Sequence, residues 1–281
     1  MGKTEVEDTA FTGRACFRSS PRTEGGWKTG RTDIRGTGTV TPPREHRLKT
    51  IPLEKFWPTL PADALAFTEL EQDEMYPFLP TRLIPRYLEE AMAFGREAAK
   101  GESCGGDLTR LINRILRSGV RVDFVRRKVT DPGGWVRAQY RPKPPTIEIY
   151  RSSMDQLRTF FEQSVHRVAE DDLIALHLYH EWFHHLESTR FGRADHRLPK
   201  VRKKRWGPFV FRQRVYRLRE IAAHSFTQET MELSWSPLWL DHLLLLTEKG
   251  WSKSRIREHF RQLNDRFEAL IAPPPEEEEK E

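Results

Sequence analysis

The stretch Tyr179-His180-Glu181-Trp182-Phe183-His184-His185-Leu186-Glu187 constrains this chain more than any other. It lies inside a helical apolar pattern running through Leu173, Leu176, His180, His184 and Glu187, with Asp171-Asp172 placed to cap its start. A spacing of four puts His180 and His184 one turn apart on one helix face, so both imidazoles reach a single ion. Glu181 sits about 100° further round, too far to join them easily but well placed to touch a water on the open side of that ion. Two neutral imidazoles, a carboxylate and a water suit zinc, and such a water has its pKa lowered toward ~7.

A third protein ligand is required. The extended motif that continues to a glycine and a third histidine is absent, because Glu187 and Arg190 stand in those places. Arg219-Glu220-Ile221-Ala222-Ala223-His224-Ser225-Phe226, in a later helical pattern, offers Glu220. Ala222 and Ala223 beside it allow two helices to approach closely. Glu220 also follows Arg212, Arg214, Arg217 and Arg219, which leaves a surface ion pair as the plainer reading. Glu187 competes as a ligand but shares a helix with both histidines, and Glu229 and Glu232 rank below it. His224 is expected to orient a ligand imidazole, with direct metal binding as the alternative. For stabilising an oxyanion the candidates are Tyr216 and His242. His177 reads as a packing residue, and His185 as a solvated one.

The motif sits among signals of mixed secondary structure. Helical periods run from Pro85 through Phe94-Gly95 and from Asp107 to Ile115, ending at Gly119. The period then falls to two: Val120, Val122 and Phe124 mark a half-buried strand, followed by strands at Trp135–Tyr140 and Thr146–Tyr150. Met154–Phe161 suggests a short helix. After the metal helix, Pro208 is expected to open the Glu220 helix, and two more follow at Pro237–Lys249 and Ser252–Ile271. The stripe Ile256, Phe260, Leu263, Phe267, Leu270 reads as core packing. These elements predict an α+β fold, a small mixed sheet packed on the metal helix with C-terminal helices completing the core.

H-E-x-x-H followed by E-x-x-A-x-x-F on a later helix resembles the gluzincin metallopeptidases, and in particular the ImmA/IrrE type. The likeness covers about residues 105–235, and the order of helix, strands, metal helix and Glu helix agrees with it. It implies a minimal zincin-like domain in which His180, His184 and Glu220 hold zinc and Glu181 is the general base. The chain departs from the pattern at Phe183, where a small residue is usual, and at His224, where Asp or Asn is usual. The connector between the motif helices is also long and very basic.

Charge supplies the second theme. The formal net charge is +6, yet residues 190–219 alone hold 12 Lys and Arg against one acid, Asp195. Arg202, Lys203, Lys204 and Arg205, followed by Trp206, concentrate it. This segment is expected either to dock an acidic protein or a nucleic acid, or to be a solvated loop. No helix-turn-helix, RNA-binding or Cys/His finger pattern supports specific readout. Around these parts, residues 1–50 read as a disordered basic segment and 51–104 as an extended arm plus a helix. Residues 236–271 read as the packed C-terminal helices, and 272–281 as a disordered acidic tail. Two cysteines exclude a disulfide framework, and neither a secretory leader nor a spanning segment is visible, so a cytoplasmic protein with no membrane partner is expected. The function expected is a zinc-dependent metallopeptidase acting on an unidentified peptide or protein. The alternative is a catalytically weak or inactive zincin-like module whose segment 190–219 docks a partner.

Overall fold

The computed structural model describes residues 47–126, 130–131, 134–163, 167–206 and 209–272, and the structural statements below concern those residues. In chain order the elements are α1 (Ala62–Leu70), α2 (Ile84–Ala99), α3 (Leu108–Arg117), β1 (Arg121–Val125), β2 (Thr130–Asp131), β3 (Gly134–Trp135), β4 (Ala138–Pro142), β5 (Pro145–Tyr150) and α4 (Arg151–Gln163). They continue as α5 (Glu170–Leu186), β6 (Val201–Trp206), β7 (Phe209–Gln213), α6 (Leu218–Thr230), α7 (Pro237–Glu248) and α8 (Lys253–Ile271). The class is α+β. None of the described helices is long and apolar enough to cross a membrane.

The main sheet has the order β1-β5-β4, with β1 parallel and β4 antiparallel to β5. Its central strand holds Ile147, Ile149 and Tyr150, all fully buried, because a strand flanked on both sides takes the deepest place. β1 is an edge, and only Val120 at its start is deeply buried. Phe124, expected on the buried face, is exposed under the guanidinium of Arg151. The other edge, β4, lies along α5.

α5 is the centre of the molecule. It packs against α3, α4, α6 and the β4–β5 side of the sheet. Past its first turn only the strip His177, His180, Glu181 is left partly open. Its capping differs from expectation. The helix begins at Glu170, with no side-chain cap, so Asp171 and Asp172 fall in the first turn, where negative charge complements the helix dipole. Asp172 is buried and instead accepts from the Leu48 backbone N–H at 2.6 Å and pairs with Arg47 at 3.0 Å. Residues 47–50 therefore do not belong to a disordered segment. They form a 3-10 turn with Leu48 fully buried, while residues 1–46 lie outside the described residues.

Two further boundaries move. Residues 51–80 were expected as an extended arm, yet α1 lies among them with Ala64 through Leu70 all buried. The prolines cluster at 52, 58, 61, 77 and 80, and the stretch between Pro61 and Pro77 is free to coil. The helix expected from Pro208 begins only at Leu218. Phe209-Val210-Phe211, an aromatic and β-branched run, pairs with Val201–Trp206 instead as a two-stranded antiparallel ribbon.

α6 packs most extensively on α2, and small residues make that possible. Ala222 and Ala223 are fully buried, and a Cβ placed on Gly95 would stand 2.2 Å from the Ala222 carbonyl oxygen. The close approach expected from the alanines is therefore made to α2. The C-terminal helices join the same core. Trp239 of α7 donates its indole N–H to the Pro58 carbonyl at 2.9 Å, and Phe267 of α8 meets Phe67 of α1. Ile256, Phe260 and Phe267 are buried, with Leu263 and Leu270 packed beside them.

Candidate metal centre

α5 and α6 bring His180, His184 and Glu220 together, and one donor atom from each lies within 4.8 Å of the others. Glu220 Oε2 is 3.3 Å from His180 Nε2 and 3.4 Å from His184 Nε2. Donors on a tetrahedral zinc at 2.0–2.1 Å stand about 3.4 Å apart, the spacing at which each nitrogen stands from the carboxylate oxygen. Among the described residues no other group of three His, Cys, Asp or Glu offers such a cluster.

The charge states agree with a site built for a cation. Burial pulls the His184 imidazole down, but the carboxylates of Glu220 and Glu187 outweigh it and raise its pKa to about 10. Burial likewise raises Glu220, and the two imidazoles more than reverse it, holding the carboxyl well below its ordinary value. A half-buried carboxylate with two imidazoles around it favours one positive charge, as a proton or a metal.

Glu187 takes a different place from the one expected of a competing ligand. Its buried carboxylate accepts from the Ala194 backbone N–H at 2.6 Å and from Arg219 Nε at 2.7 Å. Its Oε2 stands 3.7 Å from His184 Nδ1, on the ring edge opposite the Glu220 contact. That distance is beyond hydrogen-bond reach, and His184 Nδ1 is buried without a hydrogen-bond partner among the described residues, so Glu187 acts on the ring through its charge. The three residues that follow the second motif histidine carry it round to that position, a short-range signal in the sequence.

Glu181 stands outside the ligand group, as its helix angle requires, and lines the cleft beside His180. Its Oε2 accepts from the Tyr140 backbone N–H of β4 at 2.7 Å. The general-base candidate and the edge strand are thereby joined.

The cleft encloses about 340 Å³ between the α5 strip, β4, α6, α7 and the end of α1. His224 lines it, with its ring centroid 4.7 Å from that of His180. Its Nδ1 is buried without a hydrogen-bond partner among the described residues, so it meets His180 ring on ring rather than through the orienting bond expected. Burial and the neighbouring histidine His180 hold it neutral. His177 also lines the cleft, its Nε2 likewise buried and unpartnered, and burial holds it neutral as well.

The two oxyanion candidates are placed differently. Tyr216 is exposed, lies under the Arg193 guanidinium and does not line the cleft. His242 does line it, but burial lowers its pKa to about 4, so it carries no charge near neutrality. Its Nε2 lies 2.9 Å from Thr68 Oγ1, whose own proton goes to the Leu65 carbonyl. His242 therefore donates through Nε2 to a hydroxyl outside the metal group. The cations that face the cleft are two arginines the motif does not reveal. Arg137 pairs with Asp241 at 2.7 Å and Arg217 with Glu69 at 2.7 Å. Burial pushes the Glu69 carboxyl up to about 7 against the pull of Arg217. His185, expected in solvent, is buried, stacked on Trp182 and bonded through Nδ1 to the Tyr140 hydroxyl at 3.0 Å.

Arg202, Lys203 and Lys204 lie on β6, exposed and outside the cleft lining, and Arg205 follows them on the same strand. The side chains of Arg205 and Trp206 lie outside the described residues. Comparison with protein-family models, with curated proteins and with solved structures finds no match for the chain.

Proposed function

We propose that this chain is a zinc-dependent metallopeptidase of the gluzincin type, with the ImmA/IrrE resemblance as its nearest analogy. The observation that carries the reading is the spacing of His180 Nε2, His184 Nε2 and Glu220 Oε2, with Glu181 in the cleft but outside that set. When bound, zinc supplies a Lewis acid for the scissile carbonyl and acidifies a water. Glu187 places a negative charge behind the His184 ring, which favours a cation on its other nitrogen. Glu181 takes a proton from the attacking water and returns it to the leaving amine. β4, at the edge of the sheet, lines an extended substrate along the cleft by main-chain pairing. Arg137 and Arg217 offer positive charge at the cleft wall, the work expected of Tyr216 and His242.

Elemental analysis of the purified chain tests the first step: one zinc per chain is expected, and none in His180→Ala. Glu181→Gln should keep the zinc and lose cleavage of a peptide library. Cleavage retained by Glu181→Gln would sink the mechanism, while zinc with no cleavage by the parent chain would leave a binding module. That second reading, a structural metal with a docking segment, draws on the exposed cationic strand β6.

A further inference from the structure

The β6–β7 ribbon exposes more apolar surface than a solvated connector needs. Phe209 is 66% exposed, Val210 41% and Phe211 53%, all three on consecutive positions of β7. β6 leans on the body of the protein, at the Tyr76–Phe78 turn and through Lys203, whose Nζ is 3.8 Å from Glu74. β7 pairs with β6 alone among the described residues, so its outer edge carries open backbone donors and acceptors. An aromatic strand with a free edge is a template for another strand, and a lone two-stranded ribbon is marginal in water.

Charge selects the occupant. Residues directly opposite in an antiparallel pair share a face, which sets Lys204 beside Phe211 and Arg202 beside Arg212. Lys203, Lys204, Phe211 and Arg212 line a surface pocket of about 480 Å³. Among the described residues Arg202, Lys204 and Arg212 have no carboxylate within ion-pairing distance. A second copy would bring like charges together at each of these positions. A lipid bilayer would meet one face of the ribbon only, whereas the cations stand on both, Lys204 with Phe211 on one and Arg202 with Arg212 on the other. A single-stranded nucleic acid could stack on Phe209 and Phe211 and pair with the same cations, but it would leave the open backbone edge of β7 unused, which a peptide strand fills.

We propose that the β7 edge docks an extended polypeptide segment of another protein, in which a short apolar run is flanked by carboxylates. The apolar run lies along Phe209–Phe211 by strand pairing. The carboxylates meet Arg212 on β7 and, reaching across the ribbon faces, Lys204 and Arg202. This does not rest on the zinc reading, because the ribbon lies outside the cleft lining, and protein stripped of metal is expected to bind equally well.

The probe is a fluorescein-labelled peptide, E-E-E-V-I-V-E-E-E, titrated with the full chain and followed by anisotropy. Saturable binding in the micromolar range is expected, falling steeply with salt. Lys204→Glu with Arg212→Glu, and separately Phe209→Ser with Phe211→Ser, should each weaken it about tenfold or more. Both variants should leave the far-ultraviolet spectrum and zinc content unchanged. Peptides carrying S-S-S, or V-P-V in place of the apolar run, should bind at least tenfold more weakly. The proposal fails if no saturable binding occurs, if either variant pair binds like the parent, or if the interrupted peptide binds as well. It fails equally if oligo-dT or phosphatidylserine vesicles bind more tightly through these same residues.

Discussion

The α5–α6 pair and the β6–β7 ribbon lie a few residues apart in the chain and treat charge in opposite ways. Between the two helices, carboxylates and imidazoles are buried or half-buried and set against one another: Glu187 has Ala194, Arg219 and His184 around it, and Glu220 has both motif histidines. On the ribbon, the cations stand in solvent beside aromatic side chains. Burial makes the first set expensive to disturb, since removing one partner strands another charge out of water. Exposure makes the second set nearly free to change as far as folding goes. Function at the helix pair is thus tied to stability, whereas function at the ribbon is separable from it.

The largest test of that contrast is at Glu181. Its replacement by Gln should lower peptidase activity by about a thousandfold or more while zinc stays bound, measured by turnover and elemental analysis side by side. Next comes the support for the Glu220 helix. Gly95→Ala places a methyl against the Ala222 carbonyl of α6, where backbone must shift, and should cost about 3 kcal/mol in urea unfolding. A neutral result would show that α2 and α6 have slack the close contact denies.

Glu187→Gln keeps shape but lacks the second acceptor and the charge behind His184. Zinc affinity should fall about 10- to 100-fold in competition with a chelator. An unchanged affinity would mean that the 3.7 Å approach to His184 contributes nothing. At His242 the sign can be followed in pH. Its folded pKa lies below the ordinary value of 6.5, at about 4, so its contribution is present above pH 6.5 and lost as pH falls toward 4. His242→Gln should therefore flatten the stability curve of the metal-free protein by about 2 kcal/mol between pH 6.5 and 5. Smallest is the ribbon itself: Lys204→Glu with Arg212→Glu should move folding stability by about 0.5 kcal/mol or less. A large loss there would erase the distinction between the two regions.

The helix pair was legible because its geometry is local. Four residues of helix fix where His180 and His184 point, and one residue fixes where Glu181 does not. The apolar stripe of α8 and the helix starts at Asp107 and Ser252 were legible for the same reason. Asp172 was misread because its partners, Arg47 and Leu48, come from a segment more than a hundred residues away. α1 was missed because prolines around it drew attention from the uninterrupted stretch between them. The ribbon was missed because Pro208 resembles a helix start, while Phe209-Val210-Phe211 prefers a strand once Val201–Trp206 lies alongside.

By itself the sequence determined the two histidines, the glutamate between them, the mixed class of secondary structure and the concentration of positive charge. All four follow from spacing, period or composition, which survive without knowledge of what packs on what. Only the tertiary structure decided that Glu220 meets both imidazoles while Glu187 stands behind one of them. It alone left Tyr216 out of the cleft lining, brought Arg137, Arg217 and His242 into it, and turned a basic connector into a two-stranded ribbon. Those outcomes depend on which distant elements share a wall, and close packing of α2, α5 and α6 settles that through contacts no local pattern encodes.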